Sequence, residues 1–289
     1  MHIVLKKKHI DALIELTTRV GEEVMKYYHS SDLQVEHKKD NSPVTAADKR
    51  AHQLITEYLT AFLPFRRVPV ISEEGDEALN ALNIEKYDTY WLIDPIDGTA
   101  SFINKTGDFT INIALIVKDQ PVFGIIHQPM TRTSYYTTDD GAYKLVQGSE
   151  PSVISVNQNI KVHDGIRLVT STKDFSEREM RFFESLNVAC KDRISSSLKF
   201  CLVAEGKYDA YFHFSDDICI WDIAAGHAIL LKAGGVMYDA LARYQDDKIL
   251  DYSRHKRLRR FYFVSSSSQI AGYMLGKVSR MHSFERCSF

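Results

Sequence analysis

The sequence predicts a layered α/β (α+β) protein of two subdomains, and three observations carry that prediction. Two amphipathic helical patterns open the chain and run into apolar segments with strand alternation. From about residue 151, strand patterns alternate with helical ones instead. No stretch near residue 150 is long or flexible enough to act as a free linker. Residues 1–150 are therefore expected to form an N-terminal α+β subdomain with most of the candidate ligands. Residues 151–289 are expected to form a C-terminal α/β subdomain that completes the site.

The elements follow in order. Ile10, Leu13, Ile14, Thr17, Val20, Val24 and Tyr28 recur at helical spacing, predicting a helix over about 6–29. A polar loop, Glu36 to Ser42, separates it from a helix that begins at Thr45, presents Ala47, Ala51, Leu54, Ile55, Tyr58, Leu59 and Phe62, and stops at Pro64. Val68 to Ile71 is a short strand entering Ser72-Glu73-Glu74-Gly75, and an acidic segment then leads to the strand Tyr90 to Ile93. Phe109 to Val117 alternates as a strand, Asp119-Gln120 turns it into Val122 to His127, and Thr133 to Thr138 is a third strand, giving an antiparallel meander on the first two helices. Beyond 151, strands at 166–170, 189–194 and 210–214 alternate with helices at 176–187, 196–205 and 222–233. A strand at 262–265 and a helix at 267–279 close the pattern.

Composition narrows the class. A 44% hydrophobic, 26% charged chain is globular rather than disordered. The net charge of −2 supplies no general attraction to nucleic acid or anionic membrane, so phosphate specificity would have to be local. No apolar run approaches the roughly 18 residues of a membrane span, and the basic start lacks a signal-peptide core. Cys190, Cys201, Cys219 and Cys287 form no CxxC pair and are expected to be reduced thiols of a cytoplasmic protein.

The chemistry concentrates in Trp91-Leu92-Ile93-Asp94-Pro95-Ile96-Asp97-Gly98-Thr99, where an apolar run delivers two carboxylates into a Pro- and Gly-containing turn. A hard cation such as magnesium neutralises such carboxylates, the Ile96 carbonyl can join them, Gly98 permits close approach and Thr99 adds a hydroxyl. The plain alternative is a strand ending in a turn. Glu73 and Glu74 leave a neighbouring strand, either as an acidic loop or as ligands on the same sheet rim. Asp222 opens a helix, either as its N-cap or holding metal where the helix N-terminus binds an anion. Asp48 follows Thr45 by three residues, either as half of a capping box or as the partner of Thr99. Glu73, Asp94, Asp97 and Asp222 together could neutralise two magnesium ions, a device for phosphoryl transfer to water. No Gly-x-Ser-x-Gly elbow, P-loop or dinucleotide fingerprint offers another chemistry, and His127 and His227 read as core or surface residues rather than ligands.

Glu73-Glu74, Asp94-Pro95-Ile96-Asp97-Gly98-Thr99 and Trp221-Asp222-Ile223-Ala224-Ala225-Gly226, in that order and with Pro43-Val44-Thr45-Ala46-Ala47-Asp48 upstream, resemble the inositol monophosphatase superfamily over nearly the whole chain. The resemblance implies an inositol-monophosphatase-like αβαβα sandwich and a magnesium-dependent, lithium-inhibited phosphatase. Phe109 to Ile116, Ser196 to Gly206 and Ala224 to Ala228 look most like the CysQ-type 3′(2′),5′-bisphosphate nucleotidases within it. By this likeness Glu73, Asp94 and the Ile96 carbonyl would hold one Mg2+, and Asp94, Asp97 and Asp222 another. Asp48, Glu73 and Thr99 would be catalytic. Glu73, Ile96, Asp97, Gly98, Thr99, Lys199 and Asp222 would contact substrate, with backbone amides near Gly98 and Thr99 on the scissile phosphate and Lys199, beside Ser195 to Ser197, on a second one.

The chain departs from the nucleotidase pattern at Ala100-Ser101-Phe102, where Lys-Glu-Phe is common, and at Arg254 to Arg260, where an Asn-Pro is usual. That basic run is a solvated loop, a second-phosphate contact, or a contact with an anionic membrane surface. The expected partner is a small phosphate ester, foremost adenosine 3′,5′-bisphosphate, with no nucleic acid and no integral membrane association. The expected location is the cytoplasm, with the inner membrane face as a peripheral alternative. Inositol monophosphate or a sugar bisphosphate is the rival substrate, and a non-catalytic metal- or nucleotide-binding regulator is the rival class.

Overall fold

In a computed structural model, which describes residues 5–31, 33–38, 42–75, 84–213, 218–239, 252, 257–258 and 262–286, the opening helices form where the helical spacing predicts them. Helix α1 spans Lys7–Tyr28. A short antiparallel pair, β1 (Glu36–His37) and β2 (Pro43–Val44), then leads into α2 (Ala46–Ala61). Thr45 caps α2, its side chain accepting from the Ala47 amide. The acidic segment 76–83 lies outside the described residues.

The first sheet has seven strands in the order β3-β4-β5-β6-β7-β8-β9: Val70–Ser72, Thr89–Asp97, Thr110–Val117, Gln120–Gln128, Thr133–Thr137, Ala142–Val146 and Ser152–Ile154. A one-turn helix, α3 (Thr99–Ile103), interrupts them after β4. β3 and β4 are parallel and the remaining pairs antiparallel. The meander is longer than the alternation predicts, because β8 and the edge strand β9 are only partly buried and their mixed composition hides their period. The β5–β6 turn sits one residue earlier than expected, on Lys118 and Asp119 at φ 48° and 62°, the two left-handed positions of a tight hairpin.

The second sheet orders β11-β10-β12-β16-β14 from β10 (Ile166–Thr170), β11 (Val188–Arg193), β12 (Ala210–His213), β14 (Val236–Asp239) and β16 (Tyr262–Ser265). A separate pair joins β13 (Ile218–Cys219) to β15 (Arg257–Leu258). The helices here are α4 (Glu177–Ser185), α5 (Leu198–Ala204), α6 (Ile220–Lys232) and α7 (Ser268–Arg286). Phe214 of the expected strand 210–214 lies outside the described residues.

Strand alternation assembles these elements into layers. Along β4, Trp91 and Ile93 face a core with Leu13, Val20, Ala51 and Ile55 of the first two helices. Tyr90 and Leu92 face the opposite core, with Phe200, Ile223, Ala224 and Leu230 of α5 and α6. That second core also takes Val169, Tyr211 and Val264 from the second sheet. The far face of the second sheet buries Ile166, Leu168 and Phe212 against Phe182, Ile270 and Met274 of α4 and α7. The order is helix, sheet, helix, sheet, helix, as the αβαβα expectation has it. Gly124 is what lets α6 lie directly on β6: a Cβ there would stand 2.3 Å from the Ala225 carbonyl oxygen.

Candidate active site

Asp94 and Asp97 lie on strand rather than in a turn. β4 continues through Pro95 to Asp97, where Asp94 faces Asn112 of β5 and Asp97 faces Thr110. Three steps on β4 thus oppose two on β5, a bulge of one residue. Residues three apart on a regular strand point to opposite faces, and the extra residue returns both carboxylates to one side. Pro95, which has no N–H to leave unpaired, suits that irregular position. Asp94 is buried, while Asp97 is half-buried at the cleft.

β3 runs parallel beside β4, with Ser72 opposite Ile93, and the Glu73 amide donates to the Ile93 carbonyl at 3.1 Å. The two strands are adjacent, so Glu73 emerges next to Asp94. Asp222 arrives from α6. It is not the N-cap but the third residue of the helix: Cys219 occupies the cap, and its amide donates to Asp222 Oδ2 at 2.7 Å. Carboxylate oxygens of Glu73, Asp94 and Asp222 all lie within 4.8 Å of one another. Asp97 is held beside them, its Oδ2 accepting from the Ser197 amide at 2.5 Å and from Asn112 Nδ2 at 3.3 Å. Ser197 Oγ stands 2.5 Å from the same oxygen and 2.8 Å from the Asp222 carbonyl.

Burial pushes the Asp94 carboxyl well above the usual range, and the negative neighbours Glu73, Asp97 and Asp222 push it further. Asp222 is raised in the same way, by burial first and then by Asp97 and Glu73. Burial also raises Asp97, against the pull of Lys199 and the Ser197 hydrogen bonds. Asp94 Oδ1 is buried with no hydrogen-bond partner among the described residues. Converging carboxylates with an orphaned oxygen fit a divalent cation with a preference for oxygen donors, such as magnesium.

Thr99 stands at the start of α3, after Gly98 at φ +90°, where an added Cβ would meet the Asp108 carbonyl oxygen at 2.9 Å. Thr99 Oγ1 lies 3.2 Å from Asp48 Oδ1 and 3.1 Å from the Ile96 carbonyl. The other oxygen of Asp48, Oδ2, accepts from the Thr45 amide at 2.8 Å and from Thr45 Oγ1 at 2.5 Å. The two readings of Asp48 therefore hold together: one oxygen caps the helix, the other faces Thr99. Burial raises the Asp48 carboxyl.

A cleft of about 710 Å³ lies over these groups, lined by Glu73, Asp97, Thr99 and Asp222 and also by Lys173 and Lys199. Lys199 is buried, donates from Nζ to the Ser196 carbonyl at 2.5 Å, and is pushed down to about 8 by burial. Arg254 to Arg260 lies outside the described residues except for the backbone of Arg257–Leu258, which pairs with β13. His127 and His227 are buried away from the carboxylates, His127 Nδ1 2.8 Å from Ser134 Oγ and His227 Nδ1 2.9 Å from Tyr252 Oη. Two neighbours of the carboxylates escape the sequence reading. Asn112 has a signal, as the one polar side chain inside the apolar run Ile111 to Val117. Lys38 has none: it sits in a Lys- and Asp-rich loop yet reaches Glu73 Oε1 at 2.7 Å and Glu74 Oε1 at 2.5 Å.

Residues 6–269 match the family model of the inositol monophosphatase family. The 3′(2′),5′-bisphosphate nucleotidase CysQ of Salmonella typhimurium is 36% identical over 247 residues, covering 84% of this chain and 94% of that protein. CysQ of Escherichia coli K12 shows the same identity and coverage. The crystal structure of CysQ from Bacteroides thetaiotaomicron, a bacterial member of the inositol monophosphatase family, superposes with a TM-score of 0.72 at 29% identity, covering 90% of this chain and 98% of that one. An IMPase from Thermotoga maritima shares the fold at a TM-score of 0.73 and 23% identity, covering 96% and 98%. Among the described residues, no helix is long and apolar enough to cross a membrane.

Proposed function

The chain belongs to the inositol monophosphatase family, and from that premise we propose that it is a magnesium-dependent 3′(2′),5′-bisphosphate nucleotidase that hydrolyses the 3′-phosphate of adenosine 3′,5′-bisphosphate to AMP and phosphate. The observation that carries the reading is the convergence of Glu73, Asp94 and Asp222 within 4.8 Å in a chain 36% identical to CysQ nucleotidases over most of its length. The nucleotidase activity and the substrate class follow from those relatives.

The residues divide the work as follows. Glu73, Asp94 and the Ile96 carbonyl would hold one Mg2+, and Asp94, Asp97 and Asp222 a second. Bound there, magnesium lowers the pKa of the attacking water and offsets negative charge on the phosphate. Thr99 donates to Asp48 and so turns an oxygen lone pair toward the cleft, where it orients the water. The water oxygen forms the new P–O bond, its proton moves toward the Thr99–Asp48 pair, and the bond from phosphorus to the 3′-oxygen breaks. The 3′-oxygen keeps the bonding pair and takes a proton from solvent. Burial makes Asp48 the better proton acceptor by disfavouring its charged form. Amides at the start of α3, which have no acceptor within the helix, face the phosphate oxygens. Lys199, across the cleft, pairs with the phosphate that is not hydrolysed. The role this implies is removal of a by-product of sulfate assimilation in the cytoplasm.

Purified protein with Mg2+ should release phosphate from adenosine 3′,5′-bisphosphate in preference to inositol 1-phosphate or fructose 1,6-bisphosphate, and lithium should inhibit it. Lys199→Ala should raise KM for the bisphosphate more than for adenosine 3′-monophosphate. Preferred turnover of inositol 1-phosphate would overturn the substrate, and no release from any of the three would overturn the enzyme.

A further inference from the structure

Glu73 is claimed from two sides. Its carboxylate converges with Asp94 and Asp222 on the site described above, yet its Oε1 also takes the Lys38 ammonium at 2.7 Å. Lys38 is delivered by ordered backbone: it directly follows β1, and its amide donates to the Ser42 carbonyl at 2.9 Å across the β1–β2 pair. Its side chain is only 24% exposed. An ammonium carries three donors, and Lys38 Nζ also lies 2.5 Å from Glu74 Oε1, a carboxylate outside the three-residue convergence. A divalent ion and an ammonium on one carboxylate repel each other, most strongly where water is scarce.

We infer that Lys38 is a resident counter-ion of the metal-free site, which a divalent metal must displace from Glu73 and which Glu74 then retains. The inference rests on the metal-dependent reading above. It gives the carboxylate cluster a partial neutralisation before metal arrives and makes metal affinity a net quantity, lowered by the cation already present. The hairpin carrying Lys38 thereby becomes a structural reporter of whether Glu73 is engaged by metal.

The test uses the full chain stripped of metal and titrated with Mn2+, followed by electron paramagnetic resonance, alongside thermal unfolding without metal. Lys38→Gln should bind Mn2+ about tenfold more tightly, equivalent to about 1.4 kcal/mol, and should unfold at a lower temperature without metal. Lys38→Arg, which keeps the charge, should behave as wild type and separates loss of the counter-ion from loss of the fold. Lys49→Gln, whose exposed ammonium pairs with Glu36 at 2.7 Å, should leave Mn2+ affinity unchanged. Equal or weaker Mn2+ binding by Lys38→Gln, an unchanged metal-free midpoint, or equal tightening by Lys49→Gln would each overturn the inference while leaving the metal reading intact. Absence of Mn2+ binding in every protein, wild type included, would remove the metal reading and the inference together.

Discussion

Thr99 carries a single hydroxyl proton and has two acceptors in reach, Asp48 Oδ1 at 3.2 Å and the Ile96 carbonyl at 3.1 Å. Either bond leaves its lone pairs available to a water in the cleft, and only the bond to Asp48 connects that water to a carboxyl whose burial favours taking a proton. Thr99→Ala should therefore lower kcat by about 10²- to 10⁴-fold, the range of a lost general-base contact, with Mn2+ affinity retained. Thr99→Ser should recover most of the rate. Steady-state kinetics beside a Mn2+ titration checks both, and a variant that loses metal binding in step with kcat would place Thr99 in the metal site instead. Asp48 itself was legible from sequence in both its roles, because the capping spacing names one oxygen and leaves the other open. Asp222 was legible as a helix-start carboxylate but misplaced by position, since a Cys at the cap carries no N-cap signature. Lys38 was not legible at all, because its contacts with Glu73 and Glu74 span more than thirty residues and depend on how the β1–β2 pair folds over the sheet.

At the scale of elements, the deciding feature is how closely α6 approaches β6. Gly124 faces the Ala225 backbone so closely that a methyl group would stand 2.3 Å from the carbonyl oxygen and 2.9 Å from Ala225 Cα. Backbone atoms cannot swing aside as a side-chain tip can, so Gly124→Ala should shift the helix. The expected cost is about 1–3 kcal/mol, read as a lower midpoint in urea. Because Asp222 rides on α6, the same variant should also weaken Mn2+ binding; a midpoint within error of wild type would refute the close-packing account. The strand content was legible in the apolar, well-buried strands β4 to β7 of the first sheet. It failed at β8 and the edge strand β9, both of mixed exposure, at β14, and at the end of β4, where Pro95 reads as a stop but occupies a bulge. The bulge matters more than the boundary error, since it sets Asp94 and Asp97 on one side.

Across the whole molecule, two sets of buried groups bend the stability curve in opposite directions. His127 and His227 are pushed by burial from 6.5 down to about 4. Their contribution is fully present above pH 6.5 and is lost as pH falls toward 4, because the unfolded chain takes up the protons first. Asp94, Asp97 and Asp222 are raised, so theirs is fully present below the unfolded carboxyl range and is lost as pH rises through the folded values. Of these two sets only the carboxylates lose stability as they ionise, so the metal-free protein should lose stability with rising pH through their folded values. Lys199, pushed down to about 8, acts in the opposite sense only above that value. On the proposed metal-dependent function, Mg2+ would bind the ionised cluster and so offset this loss most where ionisation is most complete. Scanning calorimetry in a chelator and in excess Mg2+ should show a midpoint shift that is larger at pH 8 than at pH 5.5. Asp94→Asn replaces a buried charge with a near-isosteric neutral group. It should raise the metal-free midpoint at pH 8 by a few degrees, about 1 kcal/mol in a domain of this class, and remove most of the Mg2+ shift. A Mg2+ shift independent of pH, or an Asn variant less stable than wild type without metal, would show that the repulsion among these carboxylates is already relieved within the protein.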